Sequence, residues 1–227
     1  MDQVTDAGRG YARRLAADSI ARGDATGWFE TLYAAAEQGE TTVPWADLTP
    51  NPRLASALAG LTGAGRALVV GCGLGDDAEH VASLGFSTVA FDVSPTAIAV
   101  ARRRFPRSTV EYVTADLLAP PEAWSGAFDL VVEVFTLQVL TGAARRTAFA
   151  RLARLVAPGG RLLVIARARD EHEDPGVMPW PLTRAEIESF QEYGLTRRSI
   201  TDFVDVEHGR PAPVRRWRAW FVAPQAA

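Results

Sequence analysis

Apolar residues follow two different spacings along this chain. Over residues 1–60 they recur at helical spacing in Tyr11–Ile20 and in Trp28–Glu37, and a third short helix is predicted near 52–60. Glycines and prolines separate these segments, because proline fixes φ and glycine interrupts helices. The pattern therefore predicts a helical N-terminal region.

From Arg66 onward, short apolar runs alternate with segments of helical spacing. The first five runs are nearly continuous in apolar residues, which is typical of parallel strands that are buried on both faces. The last two runs alternate instead, which predicts an antiparallel pair at the edge of the sheet, joined through residues 208–213. Strands are predicted at 67–70, 87–92, 109–113, 128–133, 161–167, 196–207 and 214–223, and helices at 76–84, 95–105, 142–156 and 183–193.

These elements predict an α/β fold with a doubly wound, mostly parallel, seven-stranded sheet and an antiparallel C-terminal hairpin. Residues 1–60 are expected to form a helical N-terminal lid, and residues 61–227 the sheet domain. A chain of 227 residues has room for one domain with a modest appendage, which fits this division.

A glycine-rich loop follows the first predicted strand and opens a helix. Gly71, Gly73 and Gly75 lack side chains, so the backbone can approach a ligand and expose its amide groups. The second strand ends in Asp92, about 20 residues further on, where a carboxylate accepts the two ribose hydroxyls of a nucleoside. A tight turn without a ligand also fits the glycines, but the two features together favour an adenosine-containing ligand.

The acids that follow the loop narrow the type of nucleoside. Asp76 and Asp77 lie at the entrance of the predicted helix, where they would repel a pyrophosphate and favour an ammonium or a sulfonium group. Asp116 lies just beyond the third strand, where its carboxylate can accept the adenine amino group. The chain therefore favours a cationic nucleoside over a dinucleotide.

Five motifs, in order VVGCGLG, FDVS, ADL, FDLV and LVAPGG, resemble those of class I S-adenosylmethionine-dependent methyltransferases. The resemblance implies a Rossmann-like fold, S-adenosyl-L-methionine as cofactor and S-adenosyl-L-homocysteine as product. It also implies that the loop glycines approach the methionine part of the cofactor and that Asp92 binds ribose.

By the same resemblance, Asp116 with Leu117 binds adenine, and the end of the fourth strand, from Glu133, borders the transfer site. The full set of candidate cofactor-binding residues is Trp28, Trp45, Gly71, Cys72, Gly73, Gly75, Asp77, Asp92, Val93, Asp116, Leu117 and Glu133.

The N-terminal segment is similar to that of thiopurine and thiol S-methyltransferase-like proteins. Trp28 begins a leading helix, and Pro44-Trp45 is followed by a Pro-Asn-Pro step at 50–52. By this resemblance, the early tryptophan, the Pro-Trp step and the helix cover the cofactor. Cys72 occupies a loop position that varies in the family, and no residue marks a thiol substrate.

The candidate substrate-binding residues lie on the lid and at the carboxyl edge of the sheet. Loop aromatic residues often close over apolar ligands, which favours such a role for Trp180 and Phe135. Tyr33 can offer its hydroxyl or merely pack, and Trp28 fits a core position equally well. Arg167 would stabilise an anionic acceptor.

The catalytic residues are unknown, and Tyr33, Asp170 and His172 are the candidates. Asp170 and His172 lie in a polar loop after the fifth strand, which is either part of the ligand crevice or a solvated acidic loop. His80, His172 and His208 lack the spacing of metal ligands, so no metal is assigned.

Charge and composition exclude several classes of protein. The formal net charge of −3 argues against a nucleic-acid binder. No stretch approaches the ~18 apolar residues of a spanning helix, and the N-terminus lacks a signal-peptide core. Cys72 is the single cysteine, so no intramolecular disulfide is possible. We expect a cytoplasmic protein with a small-molecule substrate, no nucleic-acid or membrane partner, and an oligomeric state that the sequence leaves open.

The favoured function is methyl transfer from S-adenosylmethionine to a small molecule, first of all S-methylation of a thiol or dithiol natural product. A thiol of ordinary pKa is partly ionised near neutrality, so it needs no strong base. N- or O-methylation of another small molecule is the alternative. A non-catalytic, cofactor-binding partner subunit is the alternative of a different class.

Overall fold

The computed structural model describes residues 2–206 and 213–226, with side chains from residue 7 onward. The helices are α1 (Asp2–Ala21), α2 (Trp28–Glu37), α3 (Pro52–Leu58), α4 (Asp76–Ser83), α5 (Pro95–Arg104), α6 (Gly142–Leu155) and α7 (Arg184–Glu188). The strands are β1 (Arg66–Val70), β2 (Ser87–Asp92), β3 (Glu111–Thr114), β4 (Phe128–Val134), β5 (Val156–Arg167), β6 (Thr196–Asp205) and β7 (Val214–Val222). The predicted hairpin connection lies almost wholly outside the described residues.

The seven strands form one sheet in the order β3-β2-β1-β4-β5-β7-β6. The pairs among β1 to β5 are parallel, and β7 runs antiparallel to both β5 and β6. The predicted fold class, with its antiparallel C-terminal hairpin, is thereby confirmed. The strand order reverses between β1 and β4, and ligands of such sheets bind at the carboxyl ends of the strands beside that point.

Each face of the sheet has its own hydrophobic core. Leu68 and Val70 point to the side that α6 and α7 cover, whereas Ala67 and Val69 point to the side of α3, α4 and α5. All four side chains are buried, because β1 lies in the middle of the sheet. This explains the nearly continuous apolar runs in the sequence. None of the helices within the described part of the chain is long and apolar enough to span a bilayer.

The end of α6 differs from the prediction. The helix was expected to reach residue 156 and the next strand to begin at 161, whereas β5 already begins at Val156. Val156 pairs with Phe128, and a register shift follows this pair. The segment with Gly159 and Gly160 is therefore part of β5. A Cβ on Gly160 would lie 2.8 Å from the Phe128 carbonyl oxygen, which shows how closely the two strands approach here.

Two further boundaries differ for local reasons. β3 begins at Glu111 rather than at residue 109, because the Ser108 hydroxyl accepts the Val110 amide hydrogen at 2.9 Å and holds it out of the ladder. The helix predicted over 183–193 is α-helical only to Glu188 and then tightens to a 3₁₀ helix. Thr183 and Glu186 form a capping box at the start of this helix.

The N-terminal helices pack on each other and on the sheet domain. Trp28 and Leu32 of α2 join residues of α1 in a small core that also includes Val139 and Met178. The carboxylate of Glu30 accepts hydrogen bonds from the Ser94 hydroxyl at 2.5 Å, the Thr96 amide at 3.1 Å and the Thr96 hydroxyl at 2.6 Å. A negative charge at the N-terminus of α5 is also favourable for the helix dipole. Glu30 therefore anchors α2 to the start of α5.

Replacing Glu30 by alanine should lower the free energy of unfolding by about 2 kcal/mol, because it removes hydrogen bonds to a charged group. Urea unfolding measures this loss. Glu37→Ala is the matched control on the same helix, since Glu37 pairs with Arg103 at the surface. The Glu37→Ala variant should lose less than about 0.5 kcal/mol of the free energy of unfolding. Equal losses in the two variants would contradict an anchoring role for Glu30.

Candidate active site

Two glycines of the loop after β1 lie where a side chain would not fit. Gly71 and Gly73 have φ angles of 59° and 52°, a region that side chains disfavour. A Cβ on Gly73 would lie 2.9 Å from the Tyr33 hydroxyl, and a Cβ on Gly71 would lie 2.4 Å from Thr136 Oγ1. The loop is therefore enclosed by α2 on one side and by the segment after β4 on the other.

Asp92 ties the end of β2 to this loop. Its Oδ2 accepts the Gly73 amide hydrogen at 3.0 Å, and its Oδ1 accepts the Ser94 amide hydrogen at 2.9 Å. Burial raises the pKa of Asp92 to about 6, although both amide bonds act in the opposite direction. Each carboxylate oxygen keeps a further lone pair, so the group can still accept ligand hydroxyls.

The two acids at the start of α4 have different partners. Asp76 forms a bidentate pair with Arg104, and that guanidinium also donates to the Leu74 carbonyl of the loop at 2.6 Å. Asp77 accepts the Asn51 amide hydrogen at 2.7 Å and so fixes the residue that caps α3. Burial is the main cause that raises the pKa of Asp77 to about 6. Asp76 thus supports the loop, and Asp77 fastens α3 beneath it.

Val93, Asp116 and Leu117 follow the neighbouring strands β2 and β3. The Ala115 amide donates to the Asp92 carbonyl at 3.0 Å, which places the two strand ends side by side. Asp116 accepts the Leu118 amide hydrogen at 2.8 Å through Oδ1, and Leu117 is buried. These residues therefore lie at one edge of the sheet, as the sequence predicted.

Aromatic residues of the N-terminal region cover the loop. The Tyr33 ring is buried, and its hydroxyl accepts a hydrogen bond from Trp45 Nε1 at 3.1 Å. Burial, followed by the charge of Asp92, raises the pKa of Tyr33 well above its usual value. Trp28 stacks on Phe29 with 3.8 Å between the ring centroids. It also forms an edge-to-face contact with Trp45, with 6.1 Å between the centroids. Trp28 is a core residue of this region, the alternative role that the sequence left open.

Glu133 lies at the end of β4 and is completely buried. Its Oε1 accepts the amide hydrogens of Thr136 at 2.6 Å and Leu137 at 2.9 Å. Oε2 has no hydrogen-bond partner among the described residues. Burial raises the pKa of Glu133 to about 7. The turn that brings the two amides back to the carboxylate passes through Phe135, whose φ of 66° is unusual for a side chain of its size.

A buried polar cluster next to Phe135 was missed by sequence reasoning. The Arg216 guanidinium lies 4.3 Å from the Phe135 ring centroid and donates to Asp205 Oδ2 at 2.8 Å. Arg53 of α3 binds the other oxygen of Asp205. Burial, followed by the charge of Arg53, lowers the pKa of Arg216 to about 10. The sequence offers no signal for it, because the three partners belong to distant elements.

The remaining predicted residues divide between the site and the surface. Trp180 is half-buried against the N-terminal core, and its amide donates to the Gln138 carbonyl at 2.7 Å. The Arg167 amide donates to Gln138 Oε1 at 2.8 Å. Asp170 instead pairs with Arg215 at 2.8 Å, and His172 is exposed.

Neither Asp170 nor His172 forms a hydrogen bond to the glycine loop within the described part of the chain. Cys72 is buried in the loop, and burial raises the pKa of its thiol. Within residues 2–206 and 213–226, no group of three histidine, cysteine or acidic side chains has an arrangement that would hold a metal ion.

Comparison with known proteins identifies this geometry. Residues 67–160 match the family described as Methyltransferase domain. This chain has the domain and the fold of a class I S-adenosylmethionine-dependent methyltransferase. Probable thiol methyltransferase 2 of Arabidopsis thaliana is 28% identical over 165 residues, which are 71% of this chain and 70% of that protein. Demethylmenaquinone methyltransferase of Tropheryma whipplei (strain Twist) is 32% identical over 115 residues, 49% of this chain but only 46% of that protein.

Solved structures superpose on most of this chain. The N-methyltransferase NodS from Bradyrhizobium japonicum WM9, in complex with S-adenosyl-L-homocysteine, superposes with a TM-score of 0.64 at 25% identity, over 80% of this chain and 92% of NodS. A structure described as "Conversion of a Disulfide Bond into a Thioacetal Group during Echinomycin Biosynthesis" has a TM-score of 0.72 at 22% identity, over 88% and 94% of the two chains. The family match and the S-adenosyl-L-homocysteine complex of NodS support S-adenosylmethionine as the cofactor of this methyltransferase.

The residues of the methyltransferase site fit that cofactor. Gly71 and Gly73 hold the loop backbone at positive φ without side chains of their own, and Asp92 retains lone pairs for ribose hydroxyls. The open oxygen of Glu133 adds a buried negative group near the same loop, which suits a ligand that carries positive charge.

Replacing Glu133 by glutamine should stabilise the methyltransferase at alkaline pH. A carboxyl with a raised pKa holds a proton in the folded state that it releases on unfolding, so stability falls as the pH rises through the folded pKa of about 7. The amide oxygen of glutamine can still accept both backbone bonds. The gain in free energy of unfolding should therefore be larger at about pH 8 than at about pH 5.5, by about 2 kcal/mol in urea titrations.

Glu79→Gln serves as the matched control for this measurement. Glu79 also receives both of its hydrogen bonds, from Ser108 and Tyr112, on a single carboxylate oxygen. It measures what a change from glutamate to glutamine at a similarly bonded helix position does to stability. A gain for Glu133→Gln that does not change with pH would show that the charge of Glu133 is not its source.

Proposed function

We propose that this methyltransferase transfers a methyl group to a small molecule, and that a thiol sulfur is the preferred acceptor. The observation that carries methyl transfer is the enclosed loop in which Asp92 joins Gly73 to the end of β2. The thiol methyltransferase relative, which aligns over more than two thirds of both chains, supports the choice of sulfur.

In this proposal, the cofactor lies along the glycine loop and the ends of β2 and β3. Asp92 accepts the ribose hydroxyls, and Asp116 with Leu117 holds adenine beside Val93. Residues 1–60 act as a lid, in which Tyr33 and Trp45 close over the loop. The Tyr33 ring is buried, and the exposed Trp45 ring meets its edge and donates a hydrogen bond to its hydroxyl, which supports this role.

The bound cofactor supplies a methyl group on a positively charged sulfur, which makes the carbon electrophilic. The chain itself aligns the acceptor and excludes water, which are the main tasks of the protein in such a transfer. A thiol is partly ionised near neutral pH, whereas a phenol with a pKa of about 10 needs a general base. Asp92 is already engaged by backbone amides, and Asp170 by Arg215, which favours an acceptor that needs no base.

The acceptor would lie between the N-terminal helices and the carboxyl ends of β4 and β5. In this proposal, Phe135, Arg167 and Trp180 would line the acceptor site and Tyr33 would cover it. Phe135 and Trp180 offer apolar faces, so the acceptor is expected to be compact and largely apolar.

N-methylation is the second candidate. NodS is an N-methyltransferase that aligns over most of this chain at 25% identity, and it favours an amine acceptor. O-methylation and a non-catalytic role as a cofactor-binding subunit have no comparable observation in their favour.

A methyl-transfer screen distinguishes these acceptors. Purified protein is incubated with S-adenosylmethionine and panels of small thiols, dithiols, phenols and amines, and S-adenosylhomocysteine is quantified. We expect turnover of thiols that exceeds turnover of phenols of similar size by at least about tenfold near neutral pH, because only the thiols are substantially ionised. Turnover of amines or phenols without turnover of thiols would refute the choice of sulfur.

Replacing Asp92 by alanine should weaken binding of S-adenosylhomocysteine by about 100-fold, because two hydrogen bonds to a charged group are lost. Calorimetric titration measures the affinity, and circular dichroism checks the fold. Asp202→Ala is the control. Asp202 lies on the edge strand β6, where it pairs with Arg215 of β7. Full affinity in the Asp92 variant would refute the ribose contact.

A further inference from the structure

A buried glutamine between the ends of β4 and β5 has hydrogen-bond donors that no described residue uses. Gln138 lies after β4 in the 3₁₀ turn Leu137–Val139, and only 5% of its surface is exposed. Its Oε1 accepts the Arg167 amide hydrogen at 2.8 Å. Because a backbone amide can only donate, this bond fixes the orientation of the carboxamide and leaves the two N–H groups of Nε2 on its other side.

The Nε2 atom of Gln138 is accessible from outside the protein. Nothing in the described part of the chain accepts a hydrogen bond from it. The atom is also not one of the fully enclosed polar atoms that lack a partner, so a water molecule or a ligand can reach it. Donors on a side chain that is otherwise buried are costly to leave unpaired, so they point to a polar group that comes from outside.

The backbone carbonyls around Gln138 are already engaged. The Gln138 carbonyl accepts from the Trp180 amide at 2.7 Å, and the Arg167 carbonyl accepts from the Leu182 amide at 2.9 Å. Arg145 donates to the Trp180 carbonyl at 3.2 Å. The turn after β4, the end of β5 and the segment that carries Trp180 are thus held together by bonds that do not involve Nε2.

These bonds place the carboxamide of Gln138 among the three residues proposed for the acceptor side. Phe135 precedes Gln138 in the segment after β4, and its amide donates to the Ile165 carbonyl of β5 at 2.9 Å. Arg167 and Trp180 are bonded to Gln138 directly. Phe135 and Trp180 offer mainly apolar surface, whereas Gln138 offers two uncharged donors. Small-molecule sites commonly combine apolar walls with a few polar groups that fix the orientation of the ligand.

We propose that Gln138 selects the acceptor by donating a hydrogen bond from Nε2 to a carbonyl oxygen on the part of the acceptor that does not react. The inference rests on the proposed function and adds a substrate class to it, namely thiols that also carry a carbonyl group. The reacting sulfur is a poorer partner for Nε2, because sulfur accepts hydrogen bonds weakly and must present its lone pair to the methyl carbon. The contact makes and breaks no covalent bond, so Gln138 acts on specificity alone.

The test compares two thiols that differ at one position. meta-Acetylthiophenol carries a carbonyl group, and meta-ethylthiophenol has a methylene group in its place. For each thiol, kcat/KM is measured from the S-adenosylhomocysteine formed, in the wild type, in Gln138→Glu and in Gln138→Met. The ratio of the acetyl to the ethyl value should fall by at least about tenfold in both variants. Comparing ratios between proteins cancels the intrinsic difference in reactivity between the thiols.

The two variants separate recognition of the acceptor from the shape of the turn. Glutamate keeps an oxygen for the Arg167 amide and loses the N–H donors, whereas methionine loses both functions. The assays are run at about pH 8.5, so that the introduced carboxyl is ionised and cannot donate. Gln191→Glu is the matched control, because Gln191 is exposed after α7, and it should keep the wild-type ratio. Circular dichroism checks the fold of every variant.

The remaining outcomes count against the inference in different ways. A ratio in Gln138→Glu that stays within about twofold of the wild-type ratio would show that Gln138 only holds the end of β5, and would overturn the inference while thiol methylation stands. This holds whether or not Gln138→Met folds. A wild type that methylates amines but no thiol would refute the proposed function, and the inference with it.

Discussion

A single chain of hydrogen bonds through Asp92 holds the site together. Its carboxylate joins the amide of Gly73 in the loop after β1 to the amide of Ser94 at the start of α5. The Ser94 hydroxyl then donates to Glu30, which fastens the N-terminal helices to the same helix start. The sheet, the loop and the covering helices therefore meet at one buried acid. Displacement of Asp92 would disturb all three together.

The same edge of the sheet concentrates buried carboxyl groups. Asp77, Asp92 and Glu133 all have pKa values raised mainly by burial. An acid with a raised pKa lowers stability as the pH rises from its unfolded pKa of about 4 to its folded pKa of about 6 to 7, and the full cost remains at higher pH. Functional sites commonly keep such groups at the expense of stability, because the chemistry of binding requires them. A bound positive charge would relieve part of that cost.

Much of the fold follows from local sequence patterns. The apolar runs predict the strands of the sheet, and the positions of Gly71, Gly73 and Asp92 predict the edge at which a nucleoside lies. These features can be read from sequence because each depends on one strand and the turn that follows it. The boundary at Val156 was wrong because pairing with a distant strand overrode the local glycine turn.

Contacts between distant elements lie beyond this kind of prediction. The bonds from Glu30 to Ser94 and Thr96, and the cluster of Arg53, Asp205 and Arg216, join residues that share no local motif. The open oxygen of Glu133 depends on where a backbone turn places two amides, which the identity of the residue alone does not show.

The direction of β7 allows one edge of the sheet to vary by itself. Because β7 is antiparallel to β5, the pairs Arg167–Arg216 and Asp205–Val214 lie at the same edge as the glycine loop. Arg216, which binds Asp205, also lies over the Phe135 ring at this edge. Substitutions on β6 and β7 can therefore change the surroundings of Phe135 without shifting any parallel strand. The two antiparallel strands are thus free to diverge while the strands that carry Gly71 and Asp92 keep their register.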